Sequence, residues 1–181
     1  GCSGRLSCQT YLRPFAARAQ ALKDLNALIV LDADGAVAAA RRVDAMRDAG
    51  LTLPRLAGLP IVVKDNIEVA GLPSTAGTPA LANFVPKADA PVVKKLRDAG
   101  AVILGKTNMH ELAFGISGYN PFKTGPEVGV RNAYDAKRSP GGSSAGISSL
   151  IVLSGSRLDF GASGSRNESL ASCAASRASS R

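Results

Sequence analysis

The stretch Gly58-Leu59-Pro60-Ile61-Val62-Val63-Lys64-Asp65-Asn66-Ile67 sets how the rest of the chain is read. Three β-branched side chains in a row suit a strand covered on both faces, and the polar run Lys64-Asp65-Asn66 emerges at its end. Downstream, Ala101-Val102-Ile103-Leu104 reads as a second buried strand, and Leu28–Leu31 is a short apolar segment. Around these runs the apolar spacing becomes helical. Residues 6–25 place Leu12, Phe15, Ala16, Ala19 and Leu22 on one face. Asp34 is positioned to cap a helix through Ala38, Val43 and Met46 that Gly50 ends in a left-handed turn. Asp89 is positioned to cap another, with Pro91 in its first turn and Gly100 closing it, and Asn108 with Glu111 marks a short helix start. Helices alternating with apolar strands imply an α/β layered fold.

Composition narrows the function classes. The 181 residues are 45% apolar and 20% charged, enough for a core and too little charge for a solvated disordered chain. The longest apolar run, Leu150-Ile151-Val152-Leu153, is far short of a membrane span. The net charge of +8 invites a nucleic-acid reading, but the basic residues are scattered, Trp is absent, and five Phe and three Tyr give few stacking platforms. Cys2, Cys8 and Cys173 fit neither a disulfide framework nor a zinc site, which points to a reducing cytoplasm.

Composition changes near Gly146. Residues 1–146 hold seven serines (3, 7, 74, 117, 139, 143, 144), and residues 147–181 hold eleven (148, 149, 154, 156, 163, 165, 169, 172, 176, 179, 180). Lysine disappears after Lys137, and no apolar periodicity survives beyond Ser154. Residues 1–146 therefore read as the ordered part. Residues 147–181 read as a Ser/Ala/Arg-rich tail, disordered or aberrant through a degraded gene end or a reading-frame error.

Several local patterns bear on chemistry. Gly100-Ala101-Val102-Ile103-Leu104-Gly105-Lys106-Thr107 matches the phosphate-binding string G-x-x-x-x-G-K-[ST]. That motif needs a strand before it and a flexible loop between its glycines. Here a helix precedes it, and four apolar residues fill the loop. Gly142-Ser143-Ser144-Ala145-Gly146 fits the nucleophile-elbow string, but no strand leads into it and His110 lies upstream. His110 beside Glu111 reads as structural, and the chain offers too few ligands for a metal. A constellation remains: Lys64 at a strand end, and Ser143 and Ser144 in a glycine-lined turn. Without a histidine, a serine nucleophile needs another base, and a desolvated lysine can supply a neutral amine.

These residues carry a resemblance. The Gly58–Ile67 stretch is followed by Ser74-Thr75-Ala76-Gly77-Thr78-Pro79-Ala80-Leu81, by Asp89-Ala90-Pro91-Val92-Val93 with Leu96-Arg97-Asp98-Ala99-Gly100-Ala101, by Gly105-Lys106-Thr107-Asn108-Met109-His110-Glu111, and by Ser139-Pro140-Gly141-Gly142-Ser143-Ser144. Five motifs in this order over residues 58–146 resemble the amidase signature family, and the helical lead-in is similar to its front end. The wording around Ala90–Val93 and His110–Gly115 looks most like the indoleacetamide and mandelamide hydrolases.

The resemblance implies the front part of a layered α/β/α fold with a mixed β-sheet, incomplete in this chain. It implies amide hydrolysis by a Ser–cis-Ser–Lys triad, with Lys64 as base and Ser143 as the bridging serine after a cis peptide from Gly142. By position in Asp159-Phe160-Gly161-Ala162-Ser163, Ser163 is the counterpart of the nucleophile, with Ser165 as the alternative. Backbone N–H groups of Phe160, Gly161, Ala162 and Ser163 would form the oxyanion hole. Gly142 and Ser144 would touch substrate, and the loop over residues 114–131 would line the acyl pocket. The chain departs from the family at Ala162, where glycine is usual, at Ala133, where proline is usual, in a shortened interval from Ser143 to Ser163, and in lacking the alanine-rich helical run after Gly146. The expected partner is a small-molecule amide, with no nucleic acid, membrane, metal or organic cofactor. The oligomeric state is open, a homodimer included. The competing readings are a P-loop nucleotide binder and a noncatalytic basic binding protein.

Overall fold

The computed structural model describes residues 6–125 and 129–155, and for residues 151–155 the backbone alone. Its sheet has three strands in the order β1-β3-β2, where β1 is Leu28–Leu31, β2 is Pro60–Lys64 and β3 is Val102–Thr107. β2 runs parallel to β3 and β1 antiparallel to it, so the sheet is mixed as expected. Every residue of β3 is buried, which explains its unbroken apolar start. Gly105 sits where β1 crosses closest: a Cβ there would lie 2.1 Å from the Val30 carbonyl oxygen.

Helices cover both faces. α1 (Cys8–Ala21) and α2 (Ala33–Asp48) pack through Leu12, Ala36, Ala40 and Val43 onto Val102 and Leu104. On the other face, α3 (Pro91–Asp98) brings Val93 against Val63, Ile103 and Val69. The short α4 (Pro121–Thr124) follows, and α5 (Ala145–Gly155) begins directly after the Gly-Ser turn. α5 continues past Gly146 as far as Gly155, so a helix forms there although the alanine-rich run is absent. Ser149, buried in α5, donates to the Arg131 carbonyl oxygen at 2.8 Å, so a serine-rich segment still docks.

Three caps differ from their expected residues. Asp32, not Asp34, caps α2 by accepting from Gly35 N. Asp89 does not cap α3, because its carboxylate accepts from Ala70 N at 2.8 Å and pairs with Arg97 at 2.9 Å. Asn108 starts no helix, because its amide ties Asn26, Met109 and Asn120 together, and a short 3₁₀ turn begins at Glu111 instead. For Asp89 and Asn108 a tertiary partner outcompetes the local N–H groups. Cys8, read as unpaired, is disulfide-bonded.

Asp44 joins α2 to the start of α1. Its carboxylate accepts from Cys8 N at 2.7 Å and Gln9 N at 3.3 Å and pairs with Arg47 at 3.1 Å. Burial raises this carboxyl, but those hydrogen bonds and the Arg47 charge outweigh it and hold Asp44 below its ordinary value of 3.8. A carboxyl depressed on folding stabilises fully above its unfolded value, and that contribution fades as pH falls through the folded value. Asp44→Asn is therefore expected to flatten the acid limb of stability against pH. Urea unfolding from neutral pH downwards checks this, and an unchanged acid limb would contradict it.

Candidate active site

Lys64 is the last residue of β2 and pairs in register with Thr107 at the end of β3. The next residue is held from both sides: Asp65 N donates to the Thr107 carbonyl at 3.1 Å, and Ile67 N turns back to the Lys64 carbonyl at 2.9 Å. With the backbone fixed there, strand alternation sends the lysine side chain to one face and Asp65 to the other. Across from Lys64 is the turn before α5. Its Gly142–Ser143 peptide is cis, as the resemblance implied. Gly142 must be glycine, because a Cβ would sit 2.8 Å from Gly118 N and 2.9 Å from the Ile116 carbonyl carbon. The Ser143 carbonyl accepts from His110 N at 3.1 Å.

The two sequence-predicted groups meet: Lys64 Nζ lies 2.7 Å from Ser143 Oγ. Burial lowers the lysine below its ordinary 10.5. Lys106, one register position back on the neighbouring strand, shows the contrast. Its Nζ is ringed by acceptors: Ser74 Oγ at 2.7 Å, the Pro73 carbonyl at 2.9 Å, the Asp65 carbonyl at 3.4 Å and Asp65 Oδ1 at 3.5 Å. That is the surrounding of an ammonium, which donates three bonds and accepts none. Burial pushes Lys106 down while the Asp65 carboxylate opposes the shift. Lys64 instead faces a hydroxyl, which can either accept from the amine or donate to it.

Ser144 immediately precedes α5, and its carbonyl accepts from Ser148 N at 3.0 Å, while Gly142 is exposed beside it. Phe160, Gly161, Ala162, Ser163 and Ser165 lie outside the described residues. Residues 102–107 of the phosphate-loop string are β3: an extended, buried strand offers no nest of N–H groups, and Lys106 is engaged internally. The imidazole Nδ1 of His110 is 3.5 Å from Ser117 Oγ, in keeping with its structural reading. Among the described residues no group of three or more His, Cys, Asp or Glu could hold a metal, and no helix is long and apolar enough to cross a membrane.

Sequence reasoning missed the Asp65–Lys106 cluster. Asp65 Oδ2 accepts from Thr75 N at 3.1 Å, from Thr75 Oγ1 and from Gly77 N at 3.3 Å. Both charged residues are fully buried. The available signal was Lys106-Thr107 continuing an apolar strand, since a lysine inside a sheet needs a buried acceptor set.

The sequence pattern of the amidase family matches residues 10–165. The chain belongs to the amidase family. Among its relatives is the mandelamide hydrolase of Pseudomonas putida, 43% identical over 164 residues, covering 88% of this chain and 32% of that protein. A glutamyl-tRNA(Gln) amidotransferase subunit from Koribacter versatilis is 48% identical over 129 residues, covering 71% of this chain and 26% of its own length. The solved peptide amidase of Stenotrophomonas maltophilia superposes with a TM-score of 0.75 at 38% identity, covering 84% of this amidase chain and 32% of that structure. The chain thus spans about a quarter to a third of the length of the curated relatives it matches.

Proposed function

We propose that this chain carries the base and the bridging hydroxyl of an amidase that hydrolyses a small carboxamide to a carboxylate and ammonia. The observation that supports this most is the 2.7 Å contact between Lys64 Nζ and Ser143 Oγ across a cis glycine–serine turn. Lys64 acts as base and Ser143 as relay. Ser163 is proposed as nucleophile by sequence position, with Phe160, Gly161 and Ala162 supplying oxyanion N–H groups and Gly142 and Ser144 lying against substrate. Residues 1–146 are the front part of the amidase domain on this reading, and residues 147–181 the Ser/Ala/Arg-rich tail, whose first residues, 147–155, continue α5.

The chemistry follows from one neutral amine. The nucleophilic serine oxygen attacks the carboxamide carbon and loses its proton to Ser143 Oγ, whose own proton passes to Lys64 Nζ. The tetrahedral oxyanion is held by backbone N–H groups, each worth about 2.7–4 kcal/mol when removed. The ammonium of Lys64 returns its proton through Ser143 to the departing nitrogen, and ammonia leaves. Water then attacks the acyl-serine by the same relay, releasing the carboxylate and restoring the serine hydroxyl. A cytoplasmic location rests on cysteine usage, and the disulfide on Cys8 weighs against it.

The chain alone is expected to release ammonia from small carboxamides at background rates or barely above, because it spans only about a third of its relatives. Purified chain assayed beside Lys64→Ala tests this, and lysine-dependent turnover at ordinary enzyme rates would contradict it. Any lysine-dependent activity should rise with pH and level off above the Lys64 value, since deprotonation makes the base. Because burial lowers that value, the rise falls below 10.5.

A further inference from the structure

We propose that the buried Asp65–Lys106 ion pair is the positioning element of the candidate base, setting the aim and the charge surroundings of the Lys64 amine from the far face of the sheet. The inference rests on reading Lys64 as the base. Asp65 follows Lys64 directly, and Lys106 precedes the register partner of Lys64. Asp65 is held by three donors from residues 75 and 77 on one oxygen and faces Lys106 with the other. Lys106 in turn grips the Pro73 carbonyl and Ser74 Oγ, and Ser74 Oγ donates onward to the Ile67 carbonyl at 3.2 Å. The segment over residues 65–77 is therefore stitched to β3 through this pair. The Lys64 side chain leaves the opposite face of that stitched backbone, toward Ser143.

The pair also balances charge. One carboxylate and one ammonium, both fully buried, leave no excess charge behind Lys64. Other charged or titratable groups near these elements are Glu68, which acts on Lys106, the Asp89–Arg97 pair, whose carboxylate holds Ala70 N, His110, whose backbone N–H holds the Ser143 carbonyl, and Glu111 beside it. Removing Lys106 alone would leave a bare carboxylate, favouring the ammonium form of Lys64. Removing the Asp65 charge alone would leave a bare ammonium, favouring the neutral amine. A role confined to fold stability has no reason to give opposite signs.

The test is an NMR titration of the Lys64 side chain in the full chain, labelled with ¹³C and ¹⁵N lysine and assigned by its loss in Lys64→Arg. Lys106→Met is expected to raise the Lys64 midpoint by about half a pH unit or more, and Asp65→Asn to lower it comparably. The double variant Asp65→Asn/Lys106→Met should return it to within about 0.2 of the parent. Shifts of one sign in both single variants, or none, would overturn the proposal. Should a single variant fail to fold, Thr75→Val keeps both charges and loosens the grip on Asp65, together with the Gly77 N–H bond to the Thr75 hydroxyl. It is expected to move the midpoint toward the ordinary lysine value by roughly 0.3 unit or more, and an unmoved midpoint would overturn the proposal. A parent midpoint that is not lowered would sink the reading of Lys64 as base, whereas a lowered parent without this pattern would sink only the role of the pair.

Discussion

Lys64→Ala is expected to lower kcat/KM for mandelamide by about 10²–10⁴-fold in a chimera that carries residues 10–146 in place of the matching segment of the Pseudomonas putida enzyme. The loss should fall on kcat, because in the proposed relay the lysine moves a proton in the transition state rather than binding the ground state more tightly. Lys64→Arg should be as damaging, since a guanidinium keeps its proton and cannot accept another. Ser143→Ala should match it, because its hydroxyl is the atom 2.7 Å from the amine. Steady-state kinetics of the four proteins decide the matter. A Lys64→Ala chimera within a few-fold of its parent would leave the relay without its base.

Gly146→Ala is expected to damage both the fold and the site. A Cβ there would meet the Ala27 carbonyl oxygen at 2.2 Å and the Asn108 oxygen and nitrogen at 2.7 and 2.8 Å. These are backbone atoms, so no side-chain rotation relieves the overlap. They are also atoms in use: Asn108 N donates to the Ala27 carbonyl at 2.9 Å, and Gly146 N donates to the Asn108 carbonyl at 3.0 Å. α5 must back away from the end of β3, at about 1–3 kcal/mol or more. Ser143 stands at the head of α5 and would move with it. A displacement near 1 Å costs on the order of 10²-fold in rate, so the chimera should lose activity even where it stays folded. Gly50→Ala is the control, since its positive φ is strained but nothing lies within 4 Å of the added methyl. Urea unfolding and kcat of both variants check this, and a neutral Gly146→Ala would contradict the close packing of α5.

The parts of the fold legible in the sequence were those fixed by continuous apolar runs. Val62 and Val63, and Val102 to Leu104, read as strands because both faces of the sheet are covered. What local pattern could not reveal was where polar side chains find distant partners. Asp89 looks like a cap, yet its carboxylate serves Ala70 and Arg97. Lys106 looks like a phosphate ligand in a string, yet it is held by Asp65, Pro73 and Ser74. Lys64 and Ser143 were legible because motif order, not spacing, joins them across 79 residues. The serine-rich composition after Gly146 concealed a helix, since Ser149 satisfies itself on a loop carbonyl that sequence cannot place. Ser163 falls outside the described residues.

Burial beside Ser143 holds the Lys64 amine to a lower titration midpoint than an exposed lysine has. Its side-chain titration in the unmodified chain measures this without any substrate. A midpoint below 10.5 is expected, with Ser143→Ala changing the resonance because the two atoms are in contact. A midpoint at or above that value, insensitive to Ser143, would contradict it.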